Sequence, residues 1–149
     1  MESLEQQFRG LSIEQRLALY EPLYPSAVEL KKGSRQICKN TPKGWTEYRR
    51  RRNFVWEVYD RKCWLCGQPV SSEEVTADHR DPRGMGGGSR DDRVEAIRPC
   101  HGECNTRRGS RRIAGGESCP YCEHGVVVGG KKDRECFRCN AKWEAVNGV

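Results

Sequence analysis

Two cysteine-rich pairs flank an acid-histidine dipeptide: Cys63-Trp64-Leu65-Cys66-Gly67, then Asp78-His79, then Cys100-His101-Gly102-Glu103-Cys104-Asn105. A C-x-x-C step followed by glycine turns two thiolates toward one point, and the glycine permits the close backbone approach that tetrahedral zinc needs. Zinc then lacks two ligands. His101 to Cys104 repeats the three-residue step of Cys63 to Cys66, whereas Cys100 to Cys104 is one residue longer. The spacing favours Cys63, Cys66, His101 and Cys104 as the zinc set, with Cys100 as the alternative to His101.

A closed four-ligand zinc does not need Asp78-His79. A carboxylate beside an imidazole suits hydrolysis: the carboxylate holds a hard cation through oxygen, and the imidazole takes a proton from water near neutral pH. Asn105 directly follows a zinc ligand, so the knuckle would fix its amide oxygen in space as a second cation ligand. These motifs, in this order, resemble the HNH endonuclease family in its variant with Asn in place of the last His. The likeness covers roughly Cys63 to Gly109, about a third of the chain. It implies a ββα-metal fold with a structural zinc, a catalytic Mg²⁺ or Mn²⁺ held by Asp78 and Asn105, and His79 as the general base. Activated water would attack phosphorus in line and leave 5′-phosphate and 3′-hydroxyl ends. The family's frequent Asn before the second knuckle falls in register on Ala96 of Val94-Glu95-Ala96-Ile97-Arg98. Whatever steadies the base histidine is therefore expected from elsewhere.

A second ligand set follows: Cys119-Pro-Tyr-Cys122 and Cys136-Phe-Arg-Cys139, separated by 13 residues that contain Val126-Val127-Val128. Two knuckles joined by a strand and turn resemble a zinc ribbon, with Lys142 to Val146 as a further strand. That gives two structural zinc ions per chain. Four thiolates complete the second set, so His124 is read as a surface residue and Cys38, without a partner at knuckle spacing, as an ordinary thiol.

The elements that position these groups are less strongly marked. Ser12 to Gln15 fits a capping box, and Ile13, Leu17 and Tyr20 recur at helical spacing, predicting a short helix to about Tyr20 that Pro22 and Pro25 interrupt. Trp45, Tyr48, Val55, Val58 and Tyr59 suggest a second helix, from Trp45 to Lys62, that delivers the chain to the first knuckle. Val75 to Asp78 and Val94 to Arg98 read as paired strands. The connection from Asp81 to Arg90 is too glycine-rich for regular structure, and is either a flexible loop or one whose backbone approaches DNA. Ser110 to Ser118, with Gly115-Gly116, reads as a linker.

Six of the nine cysteines fall in C-x-x-C pairs, which with no secretory signal points to zinc in a reducing cytoplasm, and no apolar run approaches a membrane span. Leu, Ile, Val and Phe number 25 of 149, below the roughly 20% that marks an ordinary apolar core, so metal must staple the fold. Residues 1–30 carry net −3, residues 31–112 carry 20 basic and 11 acidic side chains (net +9), and residues 113–149 are neutral. The basic excess lies on the candidate nuclease core, and arginine suits planar contacts to phosphate and base edges. Arg49 and Arg52 of the Arg49–Arg52 run, Arg83 and Arg90 at the loop edges, and Arg107, Arg108, Arg111 and Arg112 are the candidate DNA contacts. If helical, Arg107 with Arg111 and Arg108 with Arg112 would stack in adjacent rows.

The expected architecture is α+β: a helical N-terminal arm (1–44), a small zinc-stapled ββα-metal HNH core (45–112) and a C-terminal zinc ribbon (113–149) that offers a surface for a protein partner. The expected function is metal-dependent DNA cleavage in the cytoplasm of a bacterial or phage-infected cell, since small free-standing HNH proteins are familiar from phages and mobile elements. A non-cleaving zinc-dependent DNA-binding module and a zinc-knuckle protein-interaction adaptor are the rival readings. The intact Asp78, His79 and Asn105 oppose the first; the charge concentrated on the core opposes the second.

Overall fold

The computed structural model describes residues 2–25, 28–81, 90–123, 125–129 and 132–144. Arg83, most of the glycine-rich connection and His124 lie outside the described residues. The chain is a mixed α+β protein, and no described helix is long and apolar enough to cross a membrane.

Three short helices open the chain: α1 (Leu4–Phe8), α2 (Ile13–Leu17) and α3 (Tyr20–Leu23). Capping boxes start the first two, where Ser3 and Ser12 accept from the Gln6 and Gln15 amides while each Gln side chain returns to its serine amide. They are anchored rather than loose. Phe8, Leu17 and Tyr20 pack with Phe54, Val55 and Val58 of α4 (Pro42–Val58) and with Val94 and Ile97 in one core. Phe54 is its centre, with Tyr20 edge-on at 4.9 Å and Phe8 at 5.6 Å.

Helix α4 starts at a Thr41 cap with Pro42 in the first turn, earlier than the apolar spacing implied. It ends at Val58 and not at Lys62, because Asp60 and Arg61 both take left-handed backbone conformations (φ 58° and 61°) that turn the chain into Cys63.

Strands β1 (Val75–His79) and β2 (Ile97–His101) pair antiparallel, with Asp78 opposite Arg98 and His79 opposite Ile97. The second strand starts three residues later than expected. Val94 is buried within a turn closed by the Ala96 amide on the Arg93 carbonyl, so its apolar character serves the core and not a strand face. Because β2 ends at His101, α5 (Gly102–Arg108) begins at once and packs on both strands.

The C-terminal part is one antiparallel sheet of β3 (Arg112–Ser118), β4 (Val126–Gly129), β5 (Asp133–Cys136) and β6 (Lys142–Glu144), in that order. The segment expected as a linker is therefore mostly strand β3. Its two glycines fall where the β3–β4 register shifts between Ile113 and Ser118. Val128 and Phe137 of this part share a core with Cys63, Leu65 and Cys100.

Candidate metal centres and the His79 site

Knuckle geometry builds both cysteine clusters. Each C-x-x-C that ends a turn is followed by a left-handed residue: Gly67 (φ 77°) after Cys66, Glu123 (φ 64°) after Cys122 and Asn140 (φ 63°) after Cys139. Only the first uses glycine, and the other two accept the strain of a side chain there. Gly125 is required for a different reason: a Cβ at that position would lie 2.0 Å from Cys136 Sγ.

Cys119, Cys122, Cys136 and Cys139 bring their sulfurs within 4.8 Å of one another, and so do the ligand atoms of Cys63, Cys66, His101 and Cys104. Tetrahedral zinc with Zn–S near 2.3 Å requires sulfur-sulfur edges of about 3.8 Å. The edges fit, at 3.6 Å for Cys119–Cys139 and 3.7 Å for Cys122–Cys136. In the first cluster His101 Nδ1 lies 3.4 Å from Cys66 and 3.8 Å from Cys104. Its Nε2 donates to the Pro69 carbonyl at 3.0 Å, leaving the Nδ1 lone pair for metal. Both groups are compatible with structural zinc. Cys100 lies outside the set although its sulfur is 3.8 Å from Cys63. Contact with the Cys63 thiolate pushes the Cys100 thiol up, while the same contact holds Cys63 down at about 4. Cys100 is a buried neighbour of the ligand set.

Asp78 and His79 end β1, and both are nearly buried. His79 Nε2 is 2.7 Å from Asp92 Oδ1, while Asp92 Oδ2 accepts from the Ile37 amide at 2.8 Å. An ionised carboxylate only accepts, so Nε2 carries the proton of this bond. Burial works to raise the Asp92 carboxyl, but the bonds from His79 and Ile37 and the Lys39 charge outweigh it and hold the group below its usual range. This is the support that Ala96 does not supply: the Ala96 carbonyl accepts from the Arg80 amide.

Asp78 Oδ2 accepts from Arg108 Nη1 at 2.7 Å and from Trp64 Nε1 at 3.0 Å. Its Oδ1 makes no hydrogen bond among the described residues, nor does the half-buried side chain of Asn105 on α5, and no buried polar atom goes unsatisfied. Both oxygens therefore reach solvent. The neighbouring guanidinium offsets the Asp78 charge.

Arg108 itself corrects an expectation. Its side chain is fully buried, bonded to Asp78, the His79 and Arg80 carbonyls and the Arg111 carbonyl, so it braces β1 and is not a surface contact. The stacked arginine rows do not form either, because Gly109 (φ 59°) ends the helix and Arg112 already belongs to β3. Arg107 and Arg111 pair with Glu135 at 3.3 and 3.1 Å and lie over the Phe137 ring at 4.2 and 5.7 Å. They tie the C-terminal sheet to α5. Arg49, Arg90 and Arg112 are exposed and Arg52 partly so.

Sequence reasoning missed the support of His79. Arg51 Nη1 donates to the Asp92 carbonyl at 2.8 Å, its Nε pairs with Glu47 at 3.0 Å, and the Tyr20 hydroxyl donates to Glu47 at 2.7 Å. Residues 1–44 thus reach the site through Tyr20 and Ile37. No protein-family model, curated protein or solved structure matches this chain.

Proposed function

We propose that the protein is a metal-dependent DNA endonuclease of the HNH type with a zinc ribbon at its C-terminus. The observation that carries this reading is the buried Asp92–His79 pair beside Asp78, with Asn105 on the helix that follows. Zinc scaffolding requires none of these four residues. Asp92 fixes the imidazole by Nε2, so His79 Nδ1 is the atom that accepts the proton of the attacking water. Asp78 Oδ1 and the Asn105 amide oxygen would hold Mg²⁺ or Mn²⁺, which supplies charge stabilisation at phosphate when bound. Arg108 and Trp64 keep Asp78 in place. The exposed arginines Arg49, Arg52, Arg90 and Arg112 supply backbone contacts.

A non-cleaving DNA-binding module is the second reading, favoured by the ion pair that already neutralises Asp78. Relaxation of supercoiled plasmid decides between them. Zinc-loaded protein nicks with added Mg²⁺ or Mn²⁺ under the first reading, and binds without nicking under any divalent ion under the second.

A further inference from the structure

Four side chains meet in pairs at the start of α4: Trp45, Tyr48 and Arg49 on the helix and Lys39 just before it. The Trp45 and Tyr48 rings lie 5.9 Å apart at an interplanar angle of 12°. The Arg49 guanidinium is 5.2 Å from the Trp45 centroid, and Lys39 Nζ is 3.9 Å from the Tyr48 centroid. Trp45 is 43% exposed, whereas the aromatic core of this helix is built on Phe54, 2% exposed. Trp45 lies in the first turn, outside the Phe54, Val55 and Val58 stripe, so the core does not require an indole there.

The Lys39–Tyr48 side of the group is also tied to the His79 site. Ile37 donates to Asp92 Oδ2 and Lys39 follows two residues later; Arg51, one turn beyond Tyr48, donates to the Asp92 carbonyl. The Lys39–Tyr48 contact is therefore pinned on each side to the residue that orients His79. Consistently, the Asp92 charge acts on both Lys39 and Tyr48, and the Asp78 charge reaches Tyr48.

We infer that exposed Trp45, with Tyr48 and the cations Arg49 and Lys39 beside it, is a platform for an unpaired nucleobase, so that the His79 site acts on single-stranded or locally unpaired nucleic acid. This inference rests on the endonuclease reading for the reaction but not for the binding. Bases in a regular duplex already have both faces covered by their neighbours, and only an unpaired base can lay its face on an indole. These cations, with Lys43 and Arg52 on the same helix, suit the phosphates of such a strand. A protein side chain is the less suited occupant, because the like-charged Arg49 and Lys39 border the Trp45–Tyr48 pair.

The test uses full-length, zinc-loaded protein without added Mg²⁺ or Mn²⁺. Affinities are measured by fluorescence anisotropy for a labelled single strand, the matched duplex and a duplex with a one-base bulge. Trp45→Ala should weaken single-strand and bulge binding about tenfold and duplex binding less than about twofold, and Trp45→Phe should restore most of the loss. Zinc content and melting temperature, measured on each variant, confirm folding. Unchanged single-strand affinity, or an equal loss on all three, overturns the inference; unchanged affinity on every oligonucleotide would leave a protein as the occupant. Selective loss in a protein that nicks nothing refutes the endonuclease reading alone, and nicking without selective loss refutes the platform alone.

Discussion

Asp92 accepts two hydrogen bonds through different oxygens, from His79 and from the Ile37 amide. Asn offers one acceptor oxygen, so Asp92→Asn leaves a buried donor unmatched. We expect a stability loss of about 1–3 kcal/mol in urea unfolding and a nicking rate at least about 100-fold lower. Full activity in Asp92→Asn would show that His79 is oriented by something else. The pH dependence follows from the depressed Asp92 carboxyl: its contribution is fully present above the unfolded value of about 3.9 and is lost as pH falls through the lower folded value. The stability gap between wild type and Asp92→Asn should therefore narrow below about pH 4. At this scale the two candidate zinc-ligand sets were legible, because fixed spacing carries them. Asp92 was not, since Arg90-Asp91-Asp92-Arg93 reads as a solvated charged turn. Only burial separates Asp92, fully enclosed, from Asp91, whose side chain is 33% exposed and paired with Arg93.

Among the elements, Glu135 on β5 holds the C-terminal sheet against α5 by taking Arg107, Arg111 and Lys142 together. Burial works to raise its carboxyl, and the Arg111 and Arg107 bonds outweigh this and depress it. The clamp is complete above the ordinary glutamate value of about 4.3 and loosens as pH falls below it. Glu135→Ala should cost about 1–3 kcal/mol and raise hydrogen exchange in β3 and β4 while leaving the zinc content intact. Unchanged exchange would mean that the shared core of Val128 and Phe137 suffices. Helix α2 and most of α4 could be read because capping and apolar period are local; α1 was not anticipated although its Ser3–Gln6 box repeats the Ser12–Gln15 pattern, nor was α3, which contains the Pro22 expected to interrupt the helix. Strand β2 and the run from Ser110 to Ser118 were misplaced because pairing partners, and not local composition, decide them. The arginines after Asn105 were misread for the same reason: three of them face protein.

For the whole molecule, the small apolar complement and two ligand groups compatible with zinc lead us to propose metal as the main staple. Elemental analysis should find two zinc ions per folded chain. Cys63→Ser should unfold or aggregate the protein and His101→Ala should lose the first zinc, whereas Cys100→Ala should keep both. Zinc loss in Cys100→Ala alone would exchange the two assignments. The basic excess of residues 31–112 should give DNA affinity that falls steeply with salt. Replacing Arg49, Arg52, Arg90 and Arg112 together by Gln should reduce the log-log slope by up to about 0.9 per lost phosphate contact. Replacing Arg107 and Arg111 should lower stability more than slope. Cysteine grouping made the two candidate metal clusters legible at this scale, but the role of residues 1–44 was hidden, because Tyr20 and Ile37 reach the site only through the folded chain. The most direct measurement of the central claim compares single-turnover nicking of plasmid by wild type and His79→Ala at matched zinc content and DNA affinity. With Mg²⁺ or Mn²⁺ present, the variant should be slower by about 100-fold to 10,000-fold. Equal rates in the two proteins, or no nicking by wild type with either cation, would contradict it.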